Sequence, residues 1–136
     1  MEGRVTGKIG PGFLVLAGFA PTDTDTQLAW MAEKILGLRV FGDAEGKMNR
    51  DLADVSGSVL VVSQFTLYGD ARQGRRPAFT GALDPASARA LYEQALIALG
   101  HAGVAQVQAG EFAADMAVEL VNDGPVTILL DSRKGF

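Results

Sequence analysis

The segment Ser63–Asp70, SQFTLYGD, follows a run of aliphatic residues and contains several side chains that can do chemistry. Alternation along a strand predicts that Ser63 and Phe65 share one face, and that Gln64 and Thr66 share the other. Serine and threonine hydroxyls can attack esters or hold water, and backbone N–H groups at a strand end can bind a developing oxyanion. Ordinary polar residues at a strand end fit the same pattern, so both interpretations remain open.

Three arginines, Arg72, Arg75 and Arg76, lie close together in a glycine-containing segment that ends near Phe79. Guanidinium groups pair with phosphates and an aromatic ring can stack on a nucleobase, so this loop suits contact with nucleic acid. Because the loop directly follows the polar strand end, it is a reasonable place for a substrate that carries a nucleotide. The alternative is a solvated basic loop in an acidic protein.

The segment Asn122–Thr127 reads NDGPVT. A Gly-Pro pair between two strands is usually a plain turn, and proline, which has no N–H to donate, is confined to sheet edges and bulges. A cis bond before proline occurs in only about 5–6% of cases in folded proteins. The residues alone therefore predict a trans bond between Gly124 and Pro125, and a cis bond there would indicate a purpose.

The other residues of catalytic or metal-binding type favour structural roles. His101, the only histidine, falls just past a predicted helix end, where it interacts well with the helix dipole, so a helix cap is favoured over a catalytic base. The spacing of Asp43, Glu45, Asp51 and Asp54 matches no EF-hand loop, and we expect a solvated loop. No metal site is predicted.

The hydrophobic pattern predicts that two helices and several strands position these segments. Asp84 and Pro85 are a typical N-cap and first residue of the second helix. We expect an α+β fold with a mixed or mostly antiparallel β-sheet. The predicted helices run over 28–37 and 85–100, and the predicted strands over 4–9, 13–19, 38–41, 58–67, 104–108, 115–121 and 126–131.

Composition narrows the class of protein. The 136 residues carry a net charge of −4, with 48% hydrophobic and 21% charged residues, which is typical of one globular domain spanning 1–136. Cysteine is absent, which excludes disulfides and thiol nucleophiles. No apolar run is long enough to span a bilayer and the N-terminus shows no signal peptide, so we expect a cytoplasmic protein that does not enter membranes.

Taken together, SQFTLYGD, RQGRRPAF, FAADM and LVNDGPVT closely resemble the D-aminoacyl-tRNA deacylases, also called D-tyrosyl-tRNA deacylases. Further matches are GKIGPGFLVLAG, AEKILGLRVF and EGKMN, so the resemblance covers nearly the whole chain, from Val5 to Leu130. It implies that family's fold, barrel-like in a homodimer, and hydrolysis of the ester between a D-amino acid and the 3′-terminal adenosine of tRNA. Glycine mischarged on tRNA is a further implied substrate, and no cofactor or metal is implied.

The resemblance assigns the pocket for the aminoacyl end to Ser63, Gln64, Phe65 and Thr66. Two mechanisms are compatible with it. In one, Thr66 is the nucleophile; in the other, backbone amides bind the carbonyl and the 2′-hydroxyl of the terminal ribose helps to activate water. We favour the second, because a threonine nucleophile needs a base and the sequence offers no good candidate.

The family's Gly-cis-Pro motif falls on Gly124 and Pro125, and Thr127 is expected to support its geometry. In the family this motif is expected to reach into the pocket of the partner subunit. There its carbonyls occupy the space that an L side chain needs while leaving room for hydrogen, which is selection by steric exclusion.

The resemblance also implies contacts with the rest of the tRNA. Arg72, Arg75 and Arg76 are expected to meet its phosphates. Phe79 and Met116 are expected to lie near the terminal adenine.

Two departures from the family pattern are visible. Family members usually begin with an extra strand before the segment matching Glu2–Val5, including an arginine that supports the Gly-cis-Pro loop. Either the start codon was assigned too late or the protein lacks this strand, and a missing strand would expose a sheet edge. The alternative function is therefore a non-catalytic tRNA- or nucleotide-binding dimer of the same fold. In addition, Ala78 stands where serine is common.

Overall fold

Two helices and two small β-sheets make up the regular structure of a computed structural model that describes residues 3–135. Both ends of the predicted domain, residues 1–2 and 136, lie outside the described residues. The elements in chain order are β1 (Gly12–Ala17), α1 (Asp25–Gly37), β2 (Phe41–Gly42), β3 (Met48–Arg50), β4 (Ser58–Ser63), a 3₁₀ turn (Phe65–Tyr68), α2 (Pro85–Ala102) and β5 (Val107–Ala109).

The larger sheet is parallel, with β4 at its centre and β1 and β5 on either side. β2 and β3 form a separate antiparallel pair. The two helices are as predicted, but the expected single mixed or antiparallel sheet is divided into these two sheets in residues 3–135. The parallel pairing follows from the connections: α1 lies between β1 and β4, and α2 lies between β4 and β5, so each strand re-enters the sheet through a helical crossover.

The core lies between one face of β4 and the two helices. Val59 and Val61, two residues apart on that face, are 0% and 1% exposed. The helices bury residues at spacings of three and four, which is the pattern of an amphipathic helix. The buried helix residues are Leu28, Ala32 and Ile35 of α1 and Ala88, Tyr92 and Leu99 of α2.

The predicted start of α2 is confirmed. Asp84 caps the helix, since its Oδ2 accepts a hydrogen bond from the N–H of Ser87 at 3.0 Å, and Pro85 is the first helical residue. The backbone N–H of Ser87 lowers the pKa of Asp84 below its ordinary value. The helix runs beyond its predicted end to Ala102 and stops at Gly103, whose φ of 113° is left-handed. Neither helix in the described part of the chain has the length and apolarity needed to cross a membrane.

The strand predicted over 58–67 ends at Ser63. Gln64 leaves the extended conformation with ψ of 79°, and the N–H of Leu67 donates to the carbonyl of Gln64 at 3.2 Å, which closes the 3₁₀ turn. The predicted alternation of Ser63 with Phe65, and of Gln64 with Thr66, is therefore wrong, because a turn replaces the pleat beyond Ser63.

Three predicted strands, over 4–9, 115–121 and 126–131, are absent from the described residues. The first lies against β5, since a Cβ at Gly7 would stand 2.7 Å from the carbonyl oxygen of Ala109, but it forms no ladder. The other two are largely exposed, and Val121 is 91% exposed. Their apolar, β-branched pattern is typical of strands, but a strand also needs a neighbour, and no strand among residues 3–135 pairs with them.

Candidate functional site

The SQFT segment begins at the edge of the parallel sheet where the carboxyl ends of β1, β4 and β5 meet. The N–H of Gln64 donates to the carbonyl of Ala17, the last residue of β1, at 2.7 Å. On the other side of β4, the N–H of Gly110 donates to the carbonyl of Val61 at 3.0 Å. Ligands of open parallel sheets typically bind outside the carboxyl ends of the strands, so this edge is the candidate site.

A close backbone approach holds the 3₁₀ turn against this edge. A Cβ at Gly18 would stand 3.0 Å from Cε2 of Tyr68 and 3.1 Å from the carbonyl oxygen of Gln64, so only a residue without a side chain fits well there. Burial raises the pKa of Tyr68, and the charge of nearby Asp23 raises it further, so the ring stays a neutral anchor. Phe65 and Thr66 lie on the exposed side of the turn.

The hydroxyl of Thr66 has no basic partner in the described part of the chain. Its recorded side-chain partner is Gln64, whose Nε2 donates to Oγ1. An amide cannot accept the hydroxyl proton in a reaction, so it does not activate Thr66 as a nucleophile. His101 cannot serve either, because α2 runs antiparallel to the strands and its C-terminal turn lies at the opposite edge of the sheet.

Backbone donors are available in the turn instead. Its first internal hydrogen bond comes from the N–H of Leu67, so the N–H groups of Phe65 and Thr66 have no acceptor within the turn. Two adjacent N–H groups of this kind can bind one carbonyl oxygen or the oxyanion that forms from it.

Phe79 and Met116, the two residues predicted to lie near the terminal adenine, are at the same edge. The rings of Phe65 and Phe79 meet edge to face, with centroids 5.1 Å apart and an interplanar angle of 70°. Gly69 lets Phe79 approach, since a Cβ there would stand 3.1 Å from its Cε1. Met116 packs on the end of β5, because a Cβ at Gly110 would stand 2.6 Å from its sulfur.

The arginine segment forms a loop closed at its base by Asp70 and Ala78, which exchange backbone hydrogen bonds of 2.7 and 2.8 Å. Arg72 is used within the loop: its Nε and Nη2 donate to the two carboxylate oxygens of Asp70 at 2.9 and 2.7 Å. These bonds, with one from the Arg72 backbone, lower the pKa of Asp70 to about 2. Within residues 3–135, Arg75 and Arg76 have no carboxylate within 4 Å and are exposed. The structure thus divides the arginine trio into one paired and two available guanidinium groups.

The bond between Gly124 and Pro125 is cis, contrary to the expectation from base frequencies and in agreement with the expectation from the resemblance. Asn122 spans this turn: its Oδ1 accepts from the N–H of Val126 at 3.0 Å and its Nδ2 donates to Oγ1 of Thr127 at 3.3 Å. Both hydrogen bonds are internal to the turn, and none recorded among the described residues joins it to the SQFT turn. Thr127 thus contacts Asn122 within the turn, and its role in supporting the motif stays a prediction.

Sequence reasoning missed three residues that hold the site. Asp70 closes the arginine loop, and its spacing of two residues from Arg72 could have indicated the ion pair between them. The buried hydroxyl of Tyr92 lies 3.0 Å from the carbonyl of Val61 and 2.9 Å from that of Gly110, and so links β4 to β5 beneath the site. Asn122 could have been noticed from its place before Asp-Gly, where side chains often bond to nearby backbone.

The aspartates of the acidic loop, residues 43–54, accept hydrogen bonds within local turns. Oδ1 of Asp43 accepts hydrogen bonds from the N–H groups of Glu45 and Lys47, both at 2.9 Å, which lowers the pKa of Asp43, the Lys47 contact contributing most. Asp51 and Asp54 each accept from the other's N–H at 2.9 Å. No group of three or more potential metal-ligating side chains occurs within residues 3–135.

Comparison with known proteins now decides the family. A sequence model described as D-Tyr-tRNA(Tyr) deacylase matches residues 1–131. The chain belongs to the D-Tyr-tRNA(Tyr) deacylase family. A D-aminoacyl-tRNA deacylase of Desulfitobacterium hafniense is 54% identical over 136 residues, covering 100% of this chain and 91% of that protein. One of Myxococcus xanthus is 56% identical over 132 residues, covering 97% of this chain and 86% of that protein.

Solved structures agree with the family fold. A structure titled c-Myc DNA Unwinding Element Binding Protein superimposes with a TM-score of 0.84 at 39% identity, over 90% of this chain and 83% of its own. A probable eukaryotic D-amino acid tRNA deacylase superimposes with a TM-score of 0.58 at 23% identity, over 69% of this chain and 55% of its own, which shows a shared fold alone.

Proposed function

We propose that this family member hydrolyses the ester bond between a D-amino acid and the 3′-terminal adenosine of tRNA. Water adds to the ester carbonyl, the bond to the ribose oxygen breaks, that oxygen regains a proton, and the free D-amino acid and tRNA leave. The observation that carries the proposal is the family match over residues 1–131, which includes both the SQFT turn and the Gly124 turn.

The SQFT turn is the proposed catalytic pocket, formed by Ser63, Gln64, Phe65 and Thr66. The N–H groups of Phe65 and Thr66 would bind the carbonyl oxygen and stabilise the negative charge that develops on it. The 2′-hydroxyl of the terminal ribose would help to activate the water. An aminoacyl ester is already reactive, so positioning and an oxyanion site are sufficient help. The amide partner of Thr66 supports this mechanism over a covalent one.

The tRNA would lie over the arginine loop. Arg75 and Arg76 are exposed and unneutralised among the described residues, so they are the proposed phosphate contacts. Arg72 is proposed to shape the loop through Asp70 rather than to bind phosphate itself. Phe79 and Met116 are the proposed neighbours of the terminal adenine, because both approach the carboxyl edge of the sheet.

The active form is proposed to be a homodimer located in the cytoplasm. Each protomer is a single domain spanning 1–136, and the dimer is barrel-like where sheets of the two protomers meet. The exposed large apolar side chains of the segment 115–131 support a partner surface, since such patches commonly mark protein contacts. They are Val118, Leu120, Val121, Ile128 and Leu129. In this dimer Gly124 and Pro125, with Thr127, would enter the partner's pocket and exclude L side chains, so glycine mischarged on tRNA would also be a substrate.

A non-catalytic tRNA- or nucleotide-binding dimer is the second candidate. Its support is the structural neighbour whose title describes binding to a DNA unwinding element. The exposed arginine loop is compatible with either candidate, because nucleic-acid contact is common to both.

Single-turnover deacylation of D-tyrosyl-tRNA and L-tyrosyl-tRNA by the folded protein tests the proposal, with filter binding of the same tRNAs measured alongside. We expect fast release of D-tyrosine and little release of L-tyrosine. Binding without release of D-tyrosine would favour the second candidate. Equal release of both enantiomers would retain the esterase and reject the proposed chiral selection.

A further inference from the structure

The side chain of Asn122 joins the two arms of the turn around Gly124. Asn122 lies on the incoming arm, and its carboxamide contacts the outgoing arm at the N–H of Val126 and at the hydroxyl of Thr127. The residues between the two arms, Asp123 to Pro125, have no recorded hydrogen bonds of their own in the described part of the chain. The shape of this turn therefore depends on a bridge that crosses it.

The backbone within the turn offers little hydrogen bonding of its own. Gly124 has a φ of 143° and no side chain to limit its conformations, and Pro125 has no N–H to donate. Residues 117–125 are all exposed, so packing against the core does not hold the turn either. The N–H of Val126 is the first backbone donor after the proline, and Asn122 accepts from it.

We propose that Asn122 is a positioning residue that fixes the Gly124 carbonyl and thereby sets the discrimination between D- and L-aminoacyl-tRNA. This inference rests on the proposed function, in which that carbonyl fills the space of an L side chain. Exclusion by contact is sensitive to small displacements, because a carbonyl that moves by a fraction of an ångström no longer closes the space. Release of a D substrate, which does not need that space, depends less on the bridge.

Three variants separate the bridge from its surroundings. Asn122→Ala removes both hydrogen bonds. Asn122→Asp keeps an oxygen that accepts from Val126 and can also accept from the Thr127 hydroxyl. Asp123→Ala is the matched control, because Asp123 is the adjacent exposed side chain and has no recorded hydrogen bond in the described residues.

The measurements are single-turnover rates on D- and L-tyrosyl-tRNA, and hydrogen exchange at the Val126 amide. For Asn122→Ala we expect the D-to-L rate ratio to fall about tenfold and the Val126 amide to exchange faster by a similar factor. Asn122→Asp should restore most of the D-to-L rate ratio and most of the protection of the Val126 amide. Asp123→Ala should change neither the ratio nor the exchange rate. A merely structural role would lower the two rates together and leave their ratio unchanged.

The outcomes distinguish the inference from the function beneath it. A native protein that releases neither amino acid would refute the proposed function and this inference with it. An active, selective native protein whose ratio survives Asn122→Ala, or whose Val126 amide exchanges as before, would refute the inference alone. A fall of the ratio in Asp123→Ala equal to that in Asn122→Ala would also refute it, since any change in the turn would then suffice.

Discussion

Two regions of the chain bury their apolar side chains to different extents. The sheet region, from β1 through β5 (residues 12–109), pairs its strands with one another and buries side chains of β4 under two helices, so that Val59 and Val61 are almost fully shielded from water. The segment 115–131 has a comparably apolar pattern, but most of its apolar side chains are exposed and it forms no strand.

The difference distinguishes apolar side chains that the chain buries by itself from apolar side chains that need a second surface to cover them. Buried strands require partners for their backbone N–H and carbonyl groups, and β1, β4 and β5 supply them to one another across helical crossovers. The segment 115–131 has its own hydrogen-bonded turn at Asn122, but most of its apolar side chains are left exposed. We expect substitutions in the sheet region to change folding and substitutions in the segment to change association and selectivity.

The largest expected effect is on folding. Leu52 is 1% exposed in the core, so Leu52→Ala should lower the free energy of unfolding by about 2–5 kcal/mol through lost burial and the cavity left behind. Urea denaturation measures this. Leu129→Ala is the control from the exposed segment, 70% exposed, and should change the free energy by less than about 0.5 kcal/mol at concentrations where the chain is monomeric. Equal losses in the two variants would abolish the contrast.

The next effect is on association. Val121 is 91% exposed, so a charge at this position, Val121→Asp, costs little in an isolated chain but disrupts an apolar contact with a second copy. Light scattering should show a dimer for the native protein and a monomer for the variant. Ile97→Asp, at a 59% exposed position on α2, should leave the dimer intact. A dimer that survives Val121→Asp would place the interface elsewhere.

A smaller effect is expected at the turn itself. A Cβ at Gly124 would stand 2.8 Å from Cγ2 of Val126 and 3.1 Å from its nitrogen, at a φ that L residues rarely adopt. Gly124→Ala should therefore lower the D-to-L selectivity of deacylation by about tenfold. Gly100→Ala, in a helix with nothing within 4 Å, is the control and should be neutral or slightly stabilising. Unchanged selectivity in Gly124→Ala would argue that this turn does not face the substrate.

The arginine loop should show a graded effect on tRNA binding. Arg76→Ala should weaken binding and reduce the slope of log affinity against log salt by about 0.7–0.9, the contribution of one phosphate contact. Arg72→Ala should leave the slope nearly unchanged, because Arg72 is already paired with Asp70. Filter binding at several salt concentrations measures both, and an equal loss of slope in Arg72→Ala would show that the pair opens to bind phosphate.

The smallest effect is expected at Thr66. If backbone amides and the ribose hydroxyl provide the chemistry, Thr66→Ala should retain the single-turnover rate within about threefold, which is the value of one modest hydrogen bond. Thr66→Ser keeps a hydroxyl and serves as the control. A near-complete loss in Thr66→Ala that Thr66→Ser restores would favour the nucleophile after all.

Local signals in the sequence predicted some elements of the sheet region. The start of α2 at Asp84 and Pro85 follows from capping chemistry, and the centre of β4 follows from its aliphatic run, because both depend on residues adjacent in the chain. Strand ends were less predictable. The turn after Ser63 arises where Gly18 lets Tyr68 approach, a contact between residues far apart in sequence.

For the candidate site, the sequence supplied the residue types but not their partners. The motifs SQFT, GRR and GPVT identified the family and the three segments. Arg72 could not be separated from Arg75 and Arg76 by composition, since only the closure of the loop brings Asp70 within reach of its guanidinium.

What the sequence by itself determined is the family, the two helices and the segments that carry the chemistry, since each depends on residue identity and short-range spacing. Only the tertiary structure decided the parallel pairing of β1, β4 and β5, the pairing of Arg72 with Asp70 and the bridge formed by Asn122. The physical reason is that strand direction and turn geometry depend on which distant or crossing groups complete the hydrogen bonds, and a linear pattern does not contain that information.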